Sequence, residues 1–159
     1  MRSLGARVGS FRDPGRLDEG FTLVELMMVV LIIGILIAIG LPTFLGARTR
    51  AADRATQEDL RTGLVAAMTF YAESGTYTGF DLNQARSAEP NLDWMGPGQP
   101  AGSEIDLQFA NGGSLLLVSQ SHSGTFFCLA QLPGSPVTSK GQDPTFAGVD
   151  TVGECIQGW

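Results

Sequence analysis

The chain has 159 residues, a length that is enough for one domain of ordinary size. Of these residues 43% are hydrophobic, and the net charge is −6. Residues 1–20 contain four arginines and three acidic residues, so the remaining residues carry a charge of −7. This acidic remainder would repel a phosphate backbone, which argues against direct binding to nucleic acid.

Residues 21–41 form an apolar run in which Glu25 is the only charged residue. As a helix the run would span roughly 31 Å, the thickness of a hydrocarbon core. A cleaved secretory signal has a shorter apolar core followed by small residues, whereas LPTFLGARTR follows here. The run therefore predicts a membrane-spanning helix. Its orientation stays open on charge alone, because arginines flank both ends of the run.

Glu25 raises the question of a partner, since a carboxylate at the centre of a bilayer costs roughly 2.5–3.5 kcal/mol. No Lys, Arg or His lies between Phe21 and Thr43. One alternative is a carboxylate tolerated near the membrane interface. The other is a cation from elsewhere. A cut after Gly20 would give Phe21 a positive amine about 6 Å along the helix from Glu25. A neighbouring copy could place that amine on the carboxylate.

The combination of a basic leader, Gly20-Phe21, three further residues, Glu25, an apolar run and then Pro42 closely resembles the N-terminus of type IV prepilins and pseudopilins. The resemblance implies a leader peptide, residues 1–20, that a membrane aspartic prepilin peptidase removes between Gly20 and Phe21. It also implies N-methylation of Phe21 and pairing of Glu25 with the Phe21 amine of an adjacent subunit. The precursor would span the inner (cytoplasmic) membrane once, with its N-terminus inside and its C-terminus outside.

Residues 21–42 would then be the transmembrane and polymerisation helix, with three helix-weakening residues, Gly34, Gly40 and Pro42. Pro42 removes one backbone donor and clashes with the carbonyl near Ala38. Two interpretations remain open here. One is a simple kink at the membrane edge. The other, implied by the resemblance, is local melting that lets the polymer extend.

Residues 43–74 are predicted to continue as the amphipathic half of the same helix. Four apolar residues, spaced by four, four and three, form one stripe: Leu60, Leu64, Met68 and Tyr71. This stripe predicts a core face packed on a sheet. Ser74-Gly75 is a plausible helix stop.

The globular head, residues 75–159, begins with a surface connection at 75–103, in which Trp94 is expected to be half-buried. An antiparallel sheet is predicted over residues 104–131. Ile105, Leu107 and Phe109 alternate with Glu104, Asp106 and Gln108, as in a half-buried strand. A hairpin turn at Asn111-Gly112-Gly113 and strands at Leu115–Val118 and Phe126–Leu129 follow. The fold class is therefore α+β, a long N-terminal helix packed on three to four antiparallel strands.

The C-terminal loop, residues 132–159, has little periodicity, with a short strand predicted near Thr145–Val149. The chain has two cysteines, Cys128 in the third strand and Cys155 in this loop. They would be two thiols in a reducing compartment and one disulfide in an exported domain. Pilins often carry such a bridged loop, so the resemblance implies the disulfide. The bridge would contribute roughly 3.5 kcal/mol if its geometry is unstrained.

No catalytic, cofactor or metal motif is found in the sequence. His122 is the only histidine, and no Cys/His cluster has the spacing of metal ligands. Asp143, Asp150 and Glu154 lie where major pseudopilins commonly bind calcium, but they lack tight ligand spacing. The sequence predicts a non-enzymatic protein without a metal or cofactor.

The favoured function is a structural subunit of a type IV pilus, displayed on the cell surface, with roles in adhesion, twitching motility or DNA uptake. Its partners would be other copies of itself, the prepilin peptidase, and the assembly platform with its ATPase. Two alternatives are a pseudopilin of a type II secretion or competence system and a minor pilin. A third is a plain membrane anchor bearing a small binding domain.

Overall fold

The computed structural model of the chain describes residues 20–110 and 113–159. The chain divides into two compact units, with the boundary between Leu41 and Pro42. The first helix, α1 (Leu23–Ser74), contains this boundary. By length and composition, α1 is the one helix among the described residues that could cross a membrane. Everything that follows in this subsection concerns the second unit.

Within the second unit, α1 buries one face, which contains Leu60, Leu64 and Ala67. The predicted stripe is confirmed at Leu60 and Leu64, and Tyr71 is half-buried against the same core. The assignment of Met68 was wrong, because its side chain is 45% exposed. At about 100° per residue, Met68 lies roughly 80° around the helix from Leu60, whereas Ala67 lies almost directly above it.

The predicted stop of α1 is confirmed, and the connection that follows is more ordered than expected. Gly75 has a φ of 72° and donates its N–H to the Tyr71 carbonyl at 2.8 Å. The connection contains helix α2 (Leu82–Ala88) and the short strand β1 (Trp94–Met95). Trp94, expected to be half-buried, is only 2% exposed, and its indole Nε1 donates to the Glu89 carbonyl.

Five strands form one sheet in the order β1-β2-β3-β4-β5. The remaining strands are β2 (Ile105–Ala110), β3 (Ser114–Gln120), β4 (Phe126–Gln131) and β5 (Thr138–Asp143). Strand β1 pairs with β2 in parallel, and the other neighbours are antiparallel. The α+β class and the three predicted strands, found as β2, β3 and β4, are therefore confirmed, and the sheet has one strand more than the three to four predicted.

The strand predicted near Thr145–Val149 was wrong in position. Strand β5 lies earlier in the chain, and Phe146–Gly148 forms a 3-10 helix. At the β2–β3 hairpin, Ala110 pairs with Ser114, as the predicted turn requires. Asn111 and Gly112 of that turn lie outside the described residues, while Gly113 adopts a φ of 77°.

Both faces of the sheet are covered, which the alternating pattern of β2 did not predict. The helix-face core joins α1 to a set of strand residues, Ile105, Leu107, Leu115, Leu117, Phe127 and Leu129. The tail-face core joins the opposite face to the C-terminal loop, through Leu116, Val118, Phe126, Cys128, Ala130, Val149 and Cys155. Burial on both faces accounts for the unbroken apolar runs in β3 and β4.

Two residues of β2 depart from the predicted alternation, each for a different reason. Asp106, expected to face solvent, is fully buried. It pairs with Val118 and so shares the covered tail face of the sheet. Phe109, expected in the core, is 46% exposed. Since β1 pairs only with Ile105 and Asp106, the rest of β2 is an edge with no outer neighbour.

Gly63→Ala is expected to destabilise the head by about 1–2 kcal/mol. A Cβ at Gly63 would lie 2.8 Å from Cη2 of the buried Trp94 ring and 3.5 Å from Cδ1 of Leu117. This overpacking outweighs the gain of about 1 kcal/mol in helix propensity. Gly46→Ala in the same helix is the control. Its Cβ would contact only the Arg50 side chain, at 3.4 Å. Thermal unfolding in detergent showing equal midpoints for both variants would contradict the close approach.

Candidate processing and assembly site

The start of α1 places the predicted cleavage bond just outside the helix. Gly20 and Phe21 precede the first helical residue, Leu23, and the Phe21 side chain is 86% exposed. An exposed peptide bond outside regular secondary structure is the form in which a chain can enter the cleft of a peptidase. Both residues that flank the predicted cleavage bond are therefore exposed and lie outside α1.

Thr22 and Glu25 form a capping interaction at the helix start, one that the sequence reasoning missed. The Glu25 backbone N–H donates to Thr22 Oγ1 at 3.2 Å, and Thr22 Oγ1 donates to Glu25 Oε2 at 3.5 Å. The Leu26 N–H donates to the Thr22 carbonyl at 3.2 Å. The Thr-x-x-Glu spacing is that of a capping box, a signal that was readable from residues 22–25.

Glu25 has no full positive charge to pair with in the described chain. The only ion pair among the residues described is Arg61–Glu58, at 3.3 Å. Glu25 does lie in the first turn of α1, where the exposed N–H groups carry a partial positive charge that favours a carboxylate. The helix end therefore compensates part of the negative charge of Glu25. The Glu25 side chain is exposed and can also contact a further partner.

The helix surface after Glu25 is apolar and exposed on all sides in the isolated chain. Every large hydrophobic residue from Leu26 to Leu41 is exposed. An apolar surface of this extent marks contact with lipid or with other protein. Gly34, Gly40 and Pro42 lie within this continuous helix, and a Cβ at Gly34 or Gly40 would meet nothing within 4 Å. Both glycines leave open space for a close neighbour.

Cys128 and Cys155 are joined by a disulfide, with their Cα atoms 5.8 Å apart. The bridge connects β4 to the C-terminal loop on the tail face, and both residues are fully buried. Gly141 of the neighbouring strand makes room for it, since a Cβ there would lie 3.0 Å from Cys128 Sγ and 3.1 Å from Cys155 Cα. The bridge holds the C-terminal loop against the sheet.

The acidic residues of the C-terminal loop make local hydrogen bonds. Asp143 Oδ1 accepts from the Thr145 N–H at 2.8 Å and from the Thr145 hydroxyl at 2.6 Å, which lowers the pKa of Asp143. Glu154 Oε2 accepts from the Thr151 hydroxyl at 2.8 Å. No group of three or more potential metal ligands occurs among the residues described. His122 lies in the exposed β3–β4 turn.

The comparisons with known proteins agree with the N-terminal geometry. The family model of the prokaryotic N-terminal methylation motif matches residues 16–41. The chain is 30% identical over 146 residues to the type IV major fimbrial protein FimA of Dichelobacter nodosus, covering 80% of this chain and 89% of that protein. It is 30% identical over 119 residues to the type IV wide pilus major component PilA4 of Thermus thermophilus, covering 75% of this chain and 85% of that protein.

A third relative matches over a shorter part of the chain. The chain is 39% identical over 74 residues to the type IV major pilin protein PilA of Myxococcus xanthus. That match covers 46% of this chain and 32% of the Myxococcus protein. No solved structure matches the chain significantly. The near full-length match to the fimbrial protein of Dichelobacter, together with the methylation motif at the start of α1, shows that the chain belongs to the type IV pilin family.

Proposed function

We propose that this chain is a structural subunit of a type IV pilus, cut between Gly20 and Phe21, N-methylated at Phe21 and polymerised through its N-terminal helix. The observation that carries the proposal is the exposed apolar surface of α1 with a single carboxylate, Glu25, in its first turn. In this proposal residues 1–20 are the leader, 21–42 the polymerisation helix, 43–74 the amphipathic half and 75–159 the head.

The energetics of assembly explain why a charge pair is needed. Moving an apolar helix from lipid to a protein interface gains little hydrophobic free energy, because lipid tails are as apolar as leucine. The specificity of assembly must therefore come from two other sources. One is close packing at small residues such as Gly34 and Gly40, and the other is the pairing of buried charges. The work of extraction falls to the assembly platform and its ATPase. Loss of helix near Pro42 would let the polymer extend.

Cleavage and assembly are coupled through the new amine. Before cleavage, Phe21 N is an amide and carries no charge, so Glu25 has only the helix end and Thr22 as partners. After cleavage, Phe21 carries an ammonium group that can pair with Glu25 of an adjacent copy. A buried carboxylate paired with an ammonium is far less costly than an isolated one. Only processed chains can therefore enter the polymer.

The precursor is anchored with its N-terminus inside and its head outside the membrane. The buried disulfide supports this orientation, since such bonds persist in oxidising compartments. The relatives' names, major pilin, major fimbrial protein and pilus major component, support a pilus subunit over a pseudopilin or a minor pilin. The chain acts without catalysis. Its net charge of −6 is unsuited to direct nucleic-acid binding.

The test of processing is the intact mass of material sheared from producing cells. The expected product begins at Phe21, carries one additional methyl group and retains the Cys128–Cys155 bridge. It should be a dominant component of the sheared fraction. A chain that stays in the membrane fraction with residues 1–20 attached would refute the proposal and leave a plain membrane anchor.

Glu25→Gln is expected to lower the amount of sheared filament by at least about tenfold, because it removes the charge that pairs with the Phe21 amine. Glutamine can still complete the capping box, so α1 should begin at the same residue. Quantitative immunoblots of the sheared and membrane fractions measure the effect. Glu25→Asp, which keeps the charge, is the matched control and should assemble better than Glu25→Gln. Wild-type assembly by the glutamine variant would show that Glu25 acts only as a cap.

A further inference from the structure

A groove of 370 Å³ lies between α1 and α2 on the surface of the second unit. Its apolar lining includes Val65, Phe70 and Phe80, and the Val65 side chain is 61% exposed. Glu73 and Glu89 add two carboxylates to this lining. A site with an apolar floor and an acidic rim suits a partner that brings aliphatic or aromatic surface together with positive charge.

The same chain carries an uncompensated basic flank on α1. Arg50 and Arg54 lie one helical turn apart and are both exposed. Among the residues described, the only ion pair is Arg61–Glu58, and neither Arg50 nor Arg54 donates a side-chain hydrogen bond. Both guanidinium groups are therefore available to a carboxylate outside their own chain.

The flank and the groove lie on different sides of α1. At about 100° per residue, the Arg50–Arg54 flank is roughly 100° around the helix from Thr69 and Glu73, which line the groove. The two patches cannot meet within one chain, because both lie on the same rigid helix about 25–30 Å apart along its axis. A contact between two different patches of identical chains is heterologous, and it generates an open helical polymer when the rotation between neighbours does not close into a ring.

We propose that the groove binds the Arg50–Arg54 flank of a second copy of this chain, an inference that rests on the filament function proposed above. The arginine stems lie on the apolar floor, beside Val65 and Phe70, and the guanidinium groups pair with Glu73 and Glu89. In a parallel arrangement this contact sets an axial offset of about 25–30 Å between the two copies. The Phe21–Glu25 pair sets a smaller offset, so the two contacts join a subunit to different neighbours.

The experiment is a charge exchange in full-length chains expressed in the producing cells. The Arg50→Glu/Arg54→Glu chain and the Glu73→Arg/Glu89→Arg chain should each yield about tenfold less sheared filament, because like charges then face each other. The chain carrying all four substitutions should recover most of the wild-type yield. Glu154→Arg is the matched control. It changes an exposed carboxylate in the C-terminal loop, away from the groove, and should leave the yield unchanged.

Thermal unfolding of each purified chain in detergent checks that the head still folds, since the substituted side chains are outside both cores. Wild-type yields from either double variant, or a fourfold variant no better than the double variants, would overturn the interface. Loss of membrane-inserted precursor in the arginine variant alone would also overturn it, in favour of anionic lipid head groups as the partner of the flank. If the wild-type chain itself gives no sheared filament, the filament function fails. If the wild-type chain forms filaments and the substitutions leave the yield of sheared filament unchanged, the interface is refuted and the filament function is not.

Discussion

Replacing both Cys128 and Cys155 with alanine is expected to lower the free energy of unfolding of the head by about 3.5 kcal/mol. The bridged residues are 27 apart in the sequence, so the bond removes a large amount of loop entropy from the unfolded chain. A domain of this size has a total stability of about 5–15 kcal/mol, so the loss is a large share of it.

The expected effect is concentrated in the C-terminal loop. Val149 and Cys155 are fully buried in the tail-face core, and the Trp159 indole Nε1 donates to the Cys128 carbonyl at 3.3 Å. Without the bridge, the amides of residues 144–159 should exchange with solvent faster than those of β3 and β4.

Urea unfolding of the full-length chain in detergent, followed by tryptophan fluorescence, measures the loss. A reducing agent supplies the control, because it should destabilise the wild-type chain to near the level of the alanine variant and leave the variant unchanged. A double variant within about 1 kcal/mol of the oxidised wild-type chain would contradict the expected contribution.

The second large effect is a loss of stability as pH rises through the titration of Asp106. Burial raises the pKa of Asp106 from 3.8 to about 6, against the smaller lowering effect of hydrogen bonds from the Gln108 side chain and the Gly98 backbone. Asp106 Oδ1 has no hydrogen-bond partner within the described parts of the chain. The carboxylate form is therefore poorly solvated in the folded state.

The sign of the effect follows from proton binding. Below about pH 4 both the folded and the unfolded chain hold the proton on Asp106. Between about pH 4 and pH 6 only the folded chain still holds it, so the free energy of unfolding falls as pH rises. Above about pH 6 the loss is complete, and it is on the order of 3 kcal/mol for this group.

Asp106→Asn isolates this effect, because asparagine has a similar shape and no titrating proton. We expect the variant to be more stable than wild type at pH 7 and to lose that advantage at pH 4. The difference between the two chains is the quantity to measure. Other carboxylates, such as Asp143 with its lowered pKa, contribute the opposite pH dependence.

Asp93→Asn, which removes an exposed carboxylate, is the control and should keep the wild-type pH profile. If the free energy of unfolding changes with pH in the same way for the wild-type and Asp106→Asn chains between pH 4 and pH 7, Asp106 is solvated in the folded chain.

The features that could be predicted from the sequence are those that depend on neighbours along the chain. A run of apolar residues specifies a helix that lipid or another helix must cover, whatever the rest of the chain does. The Gly20-Phe21 pair, Glu25 and the helix stop at Gly75 are local in the same sense. Two antiparallel strands around residues 111–113 also follow from short-range alternation and turn chemistry.

The predictions that failed depend on which elements pack together. Asp106 looks like a solvent-facing strand residue, and it is buried only because both faces of the sheet are covered. Trp94 is buried because Gly63, on a distant part of the chain, lets its ring approach α1. Strand β5 has no apolar period of its own and forms by pairing with β4.

The sequence by itself therefore determined the apolar helix, its single carboxylate and the family they indicate, because these depend on composition and spacing within one segment. Only the tertiary structure decided the two-sided core, the position of the bridged C-terminal loop and the groove beside α2. Those features depend on contacts between segments far apart in the chain, and no local pattern encodes which segments those are.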